Sequence, residues 1–176
     1  MQIYLSSLTE NDYDTSLQAI KTAFEDVVES NHDEQELVVR LRESPEYNYE
    51  LEVVAKNENG DVVGHIMLSE IKIVNDTKSY TALALAPLSV VPEYRKKGLG
   101  KALIQAVEER VKALDYTTII VLGDPNYYSR FGYEEAKAYD IISPFNVPSE
   151  YFMVKFLWDQ LIDRPNGTVV YSDAFK

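Results

Sequence analysis

The sequence contains no cysteine. Disulfides, thiolate metal sites and a cysteine nucleophile are therefore excluded, which fits a reducing cytoplasm. Positive charge is scarce: 17 Lys and Arg stand against 29 Asp and Glu, giving a formal net charge of -12. That balance argues against nucleic acid, where affinity comes mostly from cations placed on phosphates. It argues equally against an anionic membrane surface. No apolar run approaches the roughly 20 residues needed to span a bilayer. The opening MQIYLSSLTENDYD also lacks the cationic start and apolar run of a signal peptide, so a cytoplasmic location is expected. Histidine is limited to His32 and His65. His32 stands beside Asp33, Glu34 and Glu36, but polar residues at a helix start read as a capped, solvated face. No metal is expected.

A length of 176 residues suits one domain spanning residues 1–176. QIYLSSL reads as a first strand, with Thr9 or Asn11 capping a helix that carries Leu17, Ile20, Phe24 and Val27/Val28 on one side. A second helix is expected over residues 34–42, ended by Ser44-Pro45. Two β-rich runs flank Asn57-Glu58-Asn59-Gly60-Asp61 and read as a hairpin. Residues 80–91 form an apolar central strand, interrupted by Pro87, where a bulge or splay is expected. A long amphipathic helix over residues 98–114 is followed by the buried strand TTIIVLGD. A short helix then opens on Asp124-Pro125, and strands follow near 152–157 and 167–171. The order of elements predicts an α/β fold around a central mixed, twisted sheet with helices on both faces.

One stretch breaks the acidic pattern. VVPEYRKKGLGKALIQ places Arg95, Lys96, Lys97 and Lys101 around Gly98 and Gly100 where a strand gives way to a helix. The first turn of a helix offers unpaired N–H groups and the positive end of the macrodipole. Glycine lets a ligand approach the backbone closely. The stretch reads as a phosphate cradle or, alternatively, as a solvated basic face on an ordinary amphipathic helix. A Walker A loop is excluded because Lys101 is followed by Ala102, and a dinucleotide fingerprint because Leu103 stands where its third glycine belongs.

Arg95-Lys96-Lys97-Gly98-Leu99-Gly100, led in by LSVVPEYR, resembles the R/Q-x-x-G-x-G/A pyrophosphate loop of the GNAT superfamily of N-acetyltransferases. VLGDPNYYSRFGY resembles the next segment of the same family. With ELVVRLR, VVGHIMLS and the terminal GTVVYSDAF, the likeness runs from about residue 24 to residue 175 and is similar to the YhbS-type branch. The resemblance implies a splayed central strand whose Leu88, Ser89 and Val90 pair with the pantetheine arm of acetyl-CoA. It further implies a pyrophosphate held by Arg95, Lys96, Lys97, Gly98, Leu99, Gly100 and Lys101, with Asn126 as a further cofactor contact. The donor would be acetyl-CoA and the acceptor a primary amine, attacking directly in a ternary complex. Tyr128, four residues before Gly132, would be the general acid. A phenol of pKa about 10 is protonated at neutral pH and suits a thiolate leaving group. Tyr127, Phe131 and Tyr133 read as packing residues, and Arg130 as a cap or a carboxylate partner.

The group that deprotonates the amine is open among Glu70, Glu93, Asp124 and His65, with Glu70 ranked first and His65 read as a core histidine. Glu70 stands where many such sequences carry proline. The resemblance also implies an acceptor entering between the first two helices and the C-terminal strands, where Glu25, Asp26, Glu29, Asp33, Glu34 and Glu36 would favour a cationic amine or serve only solubility. A monomer or homodimer is expected. The alternative is a non-catalytic acyl-CoA sensor, which would keep the loop but need no acid.

Overall fold

The computed structural model describes residues 2–158 and 161–176. The chain divides into two compact units, residues 1–69 with 86–110 and 175, and residues 70–85 with 111–174 and 176. In chain order the strands are β1 (Tyr4–Ser7), β2 (Glu52–Lys56), β3 (Val62–Val74), β4 (Ser79–Val90), β5 (Thr118–Leu122), β6 (Glu134–Glu135), β7 (Ile141–Ile142), β8 (Phe152–Phe156) and β9 (Gly167–Val170). The helices are α1 (Tyr13–Phe24), α2 (Glu34–Glu43), α3 (Leu99–Ala113) and α4 (Pro125–Tyr128). β3, β4 and α3 contribute residues to both units.

In the first unit β1, β2 and β3 form an antiparallel ladder, with Leu5 opposite Ala55 and Val54 opposite His65. A cap built from Asp12 precedes α1: its Oδ2 accepts from the Thr9 N–H (3.0 Å) and hydroxyl (2.9 Å), and Lys56 Nζ sits 2.8 Å away. Helices cover both faces of this ladder. On one side α3 approaches β3 at Gly64, where a Cβ would stand 3.1 Å from Leu103 Cδ1. Side chains alternate along a strand, so His65 points to the opposite face, where α2 supplies Arg42. Ile20, Val38, Leu41, Val53, Ile66, Leu103 and Val107 form the core. Burying each such side chain contributes about 1.5–3 kcal/mol relative to exposure.

In the second unit β4 runs parallel to β5, with Leu83 opposite Ile119, and β8 lies antiparallel to β5 with β6 beyond it. The far end of β3 pairs antiparallel with β9, which pairs parallel with β7. The parallel β4–β5 and β7–β9 pairs make the sheet mixed. Ile73, Leu83, Ile119, Ile120, Tyr133, Val154 and Val169 are buried here.

Helix α1 stops at Phe24, short of the expected Val27 and Val28, and Val28 is 91% exposed. The backbone turns instead, Val27 N–H donating to Phe24 O at 3.2 Å. The carbonyl that a continuing helix would use, that of Ala23, accepts from Arg95 Nη2. The peptide before Pro87 is cis. Strands β6 and β7, two residues each, were not expected: a period of two has no length in which to show.

Candidate functional site

In the first unit the residues following β4 make a tight, cationic turn. Pro92–Tyr94 form a single 3-10 turn, after which Lys96 and Gly98 adopt left-handed φ of 61° and 83°. The second suits glycine, which bears that conformation without a Cβ penalty. Ala102 N–H donates to Gly98 O at 3.0 Å, so α3 begins here. The amides of Leu99, Gly100 and Lys101 precede the first intrahelical donor and are left for a ligand. A Cβ at Gly98 would meet nothing within 4 Å, so the backbone is open on that side. Leu99 is buried and anchors the turn, while Lys96, Lys97 and Lys101 are exposed. Lys97 Nζ lies 5.5 Å above the Tyr94 ring.

Arg95 behaves differently from its neighbours. Its Nη1 donates to Asp26 Oδ2 at 2.7 Å, its Nη2 to Asp26 Oδ1 at 3.1 Å and to Ala23 O, and its Nε to Val90 O at 3.2 Å. The hydrogen bond from Arg95 holds the Asp26 carboxyl below its ordinary value. A guanidinium on the last carbonyls of α1 also complements the negative helix end. The same side chain ties the end of β4 to α1 and fixes the loop's exit. Of the β4 residues singled out, Ser89 is buried, and Leu88 and Val90 are partly exposed.

In the second unit Asp124 caps α4, its Oδ1 accepting from Asn126 N–H at 2.9 Å, and the Asn126 side chain is exposed. Tyr128 closes α4. Its ring lies so near Gly123 that a Cβ there would stand 2.5 Å from Cε2. Tyr127 and Tyr133 meet the ring edge-on, at centroid distances of 5.0 and 5.7 Å. Burial, then the neighbouring Tyr127, pushes the Tyr128 phenol up from its ordinary value. Among the described residues, none hydrogen-bonds the Tyr128 hydroxyl. Arg130 stacks over Tyr127 at 5.0 Å and Phe131 at 5.6 Å. Glu70 accepts from Tyr116 OH at 2.8 Å and lies 3.6 Å from Lys72 Nζ. Glu93 is exposed and His32 is an exposed left-handed residue. Among the described residues no group of three or more His, Asp or Glu is arranged to hold a metal.

A further polar cluster, in the first unit, was not read from the sequence. Glu52 is completely buried and gathers Arg42, Tyr47 and His65 around its carboxylate. The available signal was Glu52 at the head of the apolar run Val53-Val54-Ala55, with Arg42 and Tyr47 shortly upstream.

The sequence model of the acetyltransferase (GNAT) domain matches residues 5–136. The chain belongs to that family. It is 30% identical over 126 residues to the uncharacterized N-acetyltransferase YhbS of Escherichia coli, covering 72% of this chain and 74% of that one. It is 34% identical over 121 residues to the uncharacterized N-acetyltransferase YjhQ of Escherichia coli, covering 67% and 65%. Among solved GNAT structures, YhbS of Escherichia coli in complex with CoA superposes with a TM-score of 0.88 at 26% identity, over 99% of this chain and 92% of that one. A GNAT family acetyltransferase from Brucella melitensis in complex with acetyl-CoA gives a TM-score of 0.81 at 27% identity, over 99% of both chains. The glycine turn and the short tyrosine helix are thus elements of a GNAT fold.

Proposed function

We propose that this chain, acting as one domain over residues 1–176, moves the acetyl group of acetyl-CoA to a primary amine by direct attack in a ternary complex. The observation that carries the reading is the α3 entry: free first-turn amides, an open backbone at Gly98 with φ 83°, and exposed Lys96, Lys97 and Lys101. An acidic protein that gathers cations at a helix start has a local use for them, and a pyrophosphate answers it. The relatives solved with CoA and acetyl-CoA support the same ligand.

When bound, acetyl-CoA supplies an acetyl group activated as a thioester. Gly98, Leu99 and Gly100 give backbone amides to the pyrophosphate, and Lys96, Lys97 and Lys101 supply charge. Arg95 belongs to this loop, and its bidentate grip on Asp26 sets the loop's position. Leu88, Ser89 and Val90 line the acyl arm, and Asn126 is a further contact. Tyr128 protonates the departing sulfur; its raised pKa keeps the phenol protonated until that charge develops. Glu70, expected to take the proton from the amine, already accepts from Tyr116. The acidic residues 25–36 favour a cationic acceptor. The chain works in the cytoplasm as a monomer or homodimer, without a metal.

The test is thermal. Acetyl-CoA at a hundred times its dissociation constant should stabilise the protein by roughly 2.7 kcal/mol. No shift at millimolar acetyl-CoA would remove the basis for acetyl transfer.

A further inference from the structure

The ladder of the first unit buries an acid–base pair that the cofactor turn does not use. Glu52 and His65 are each 0% exposed. His65 Nε2 lies 2.7 Å from Glu52 Oε2. The same carboxylate accepts from Arg42 Nε at 3.1 and 3.2 Å, from Arg42 Nη2 at 2.7 Å, and from Tyr47 OH at 2.6 Å. Arg42 Nη2 also donates to Ser16 Oγ at 2.9 Å and its guanidinium stacks on Tyr13 at 5.3 Å. Helices α1 and α2, the link carrying Tyr47, β2 and β3 all contribute a group. Burial alone would raise the Glu52 pKa, but the bonds from His65 and Arg42 outweigh it and hold the carboxyl at about 2. Glu52 is therefore an acceptor only, and a neutral His65 must carry its proton on Nε2.

That assignment leaves a lone pair on Nδ1. The atom is buried and has no partner among the described residues. An unmet polar atom in a core is costly, and packing alone would not require it. An imidazole with one nitrogen fixed by a carboxylate and the other free is the arrangement of an oriented base. The strand that carries it runs beside the end of β4: Val91 N–H donates to Val63 O at 3.0 Å, two residues before His65.

We propose that His65, oriented by Glu52, takes the proton from the amine, directly or through one bridging water. The proposal rests on the acetyl-transfer reading. One proton of the alkylammonium passes to Nδ1, and the imidazolium is held by the Glu52 carboxylate. The freed amine attacks the acyl carbon, so an N–C bond forms and the C–S bond breaks. The sulfur leaves with the electron pair and takes the proton of the Tyr128 hydroxyl. The surplus proton on the new amide nitrogen replaces the one Tyr128 gave, and His65 releases its proton to solvent. Glu52 is a positioning residue, because it acts through the ring.

Two measurements test this. The chain has only two histidines, and His32→Asn leaves one ring to observe without touching the site. Its ¹⁵N spectrum should show a protonated Nε2 and a bare Nδ1 whose signal moves when acetyl-CoA saturates the protein. A protonated Nδ1 in the neutral ring, or a ring indifferent to acetyl-CoA, overturns the proposal even if His65 variants do not fold. In the second measurement CoA release is followed with spermidine, L-lysine and a lysine-bearing peptide. His65→Gln should lower kcat about 10²–10⁴-fold, leave acetyl-CoA affinity within a few-fold, and lose the acidic limb of the pH–rate profile. Glu52→Gln should move that limb to lower pH, since the imidazolium loses its counter-charge. A purely structural pair would lower stability without moving the limb. If the unaltered enzyme turns over none of the amines, the acetyl-transfer reading fails and this assignment goes with it. If it turns over and His65→Gln matches it, only the assignment fails.

Discussion

Gly123→Ala offers a test of Tyr128 that leaves the phenol in place. A Cβ at residue 123 would stand 2.5 Å from Tyr128 Cε2, 3.0 Å from Cδ2 and 3.5 Å from Cζ. Carbon atoms pack at about 3.5–4.0 Å, so the ring edge must retreat by about 1 Å. Little else can absorb the change: Tyr127 and Tyr133 flank the ring edge-on and α4 is only four residues long. The hydroxyl moves with the ring. A misplacement of about 1 Å in a reacting group costs about 10²-fold, or about 2.7 kcal/mol of transition-state stabilisation. We expect kcat for CoA release, measured with spermidine, L-lysine and a lysine-bearing peptide, to fall by that factor. Acetyl-CoA affinity should stay within a few-fold, because the cofactor turn is untouched. The same substitution in a Tyr128→Phe background should cost almost nothing more, because the group it displaces is already gone. An unchanged kcat in folded Gly123→Ala would refute the placement of Tyr128 at the reacting atoms. A penalty of equal size in both backgrounds would assign Gly123 a role unrelated to the phenol.

Tyr128→Phe by itself should lower kcat by about 10²–10⁴-fold with little change in acetyl-CoA binding, whereas Tyr127→Phe should stay within a few-fold; steady-state kinetics on both variants checks this. Gly98→Asp places a negative charge where the pyrophosphate belongs and should weaken CoA binding more than tenfold, about 1.4 kcal/mol, by calorimetry. Its Cβ meets nothing, so the fold should survive a backbone strain of about 1–2 kcal/mol at φ 83°. Glu52→Gln removes one partner of a buried ionic cluster and should cost about 3–5 kcal/mol in urea unfolding. Because the Glu52 pKa is depressed from 4.5 to about 2, its contribution is complete above pH 4.5 and is lost as pH falls through about 2. Stability should drop across that window by about 3 kcal/mol, and Glu52→Gln should flatten the drop.

The legible parts of this chain were those whose chemistry is local. Gly98 and Gly100 with their cations announce a helix entry, and Asp124-Pro125 announces a capped short helix; both stand where the sequence places them. Helix α1 was overrun because Val27 and Val28 continue its apolar spacing, while the stop comes from Arg95, some 70 residues away, claiming Ala23 O. The tie between Arg95 and Asp26 was equally hidden, since charge alone cannot say whether an arginine faces a ligand or a carboxylate. The Glu52 cluster draws on residues 13 to 65 across four elements and a connecting link. No spacing rule joins them. Their meeting is a product of strand register, with Val54 opposite His65, and of α2 lying over that face.

The central claim is that this GNAT chain transfers acetyl groups to amines. The most direct measurement is mass analysis of spermidine, L-lysine and a lysine-bearing peptide after incubation with acetyl-CoA and catalytic amounts of protein, with released CoA counted in parallel. The account predicts an acetylated amine formed in equal amount to the released CoA, at a rate cut by Tyr128→Phe. Acetyl-CoA that binds tightly yet yields neither product would contradict it and leave the chain a sensor of acyl-CoA.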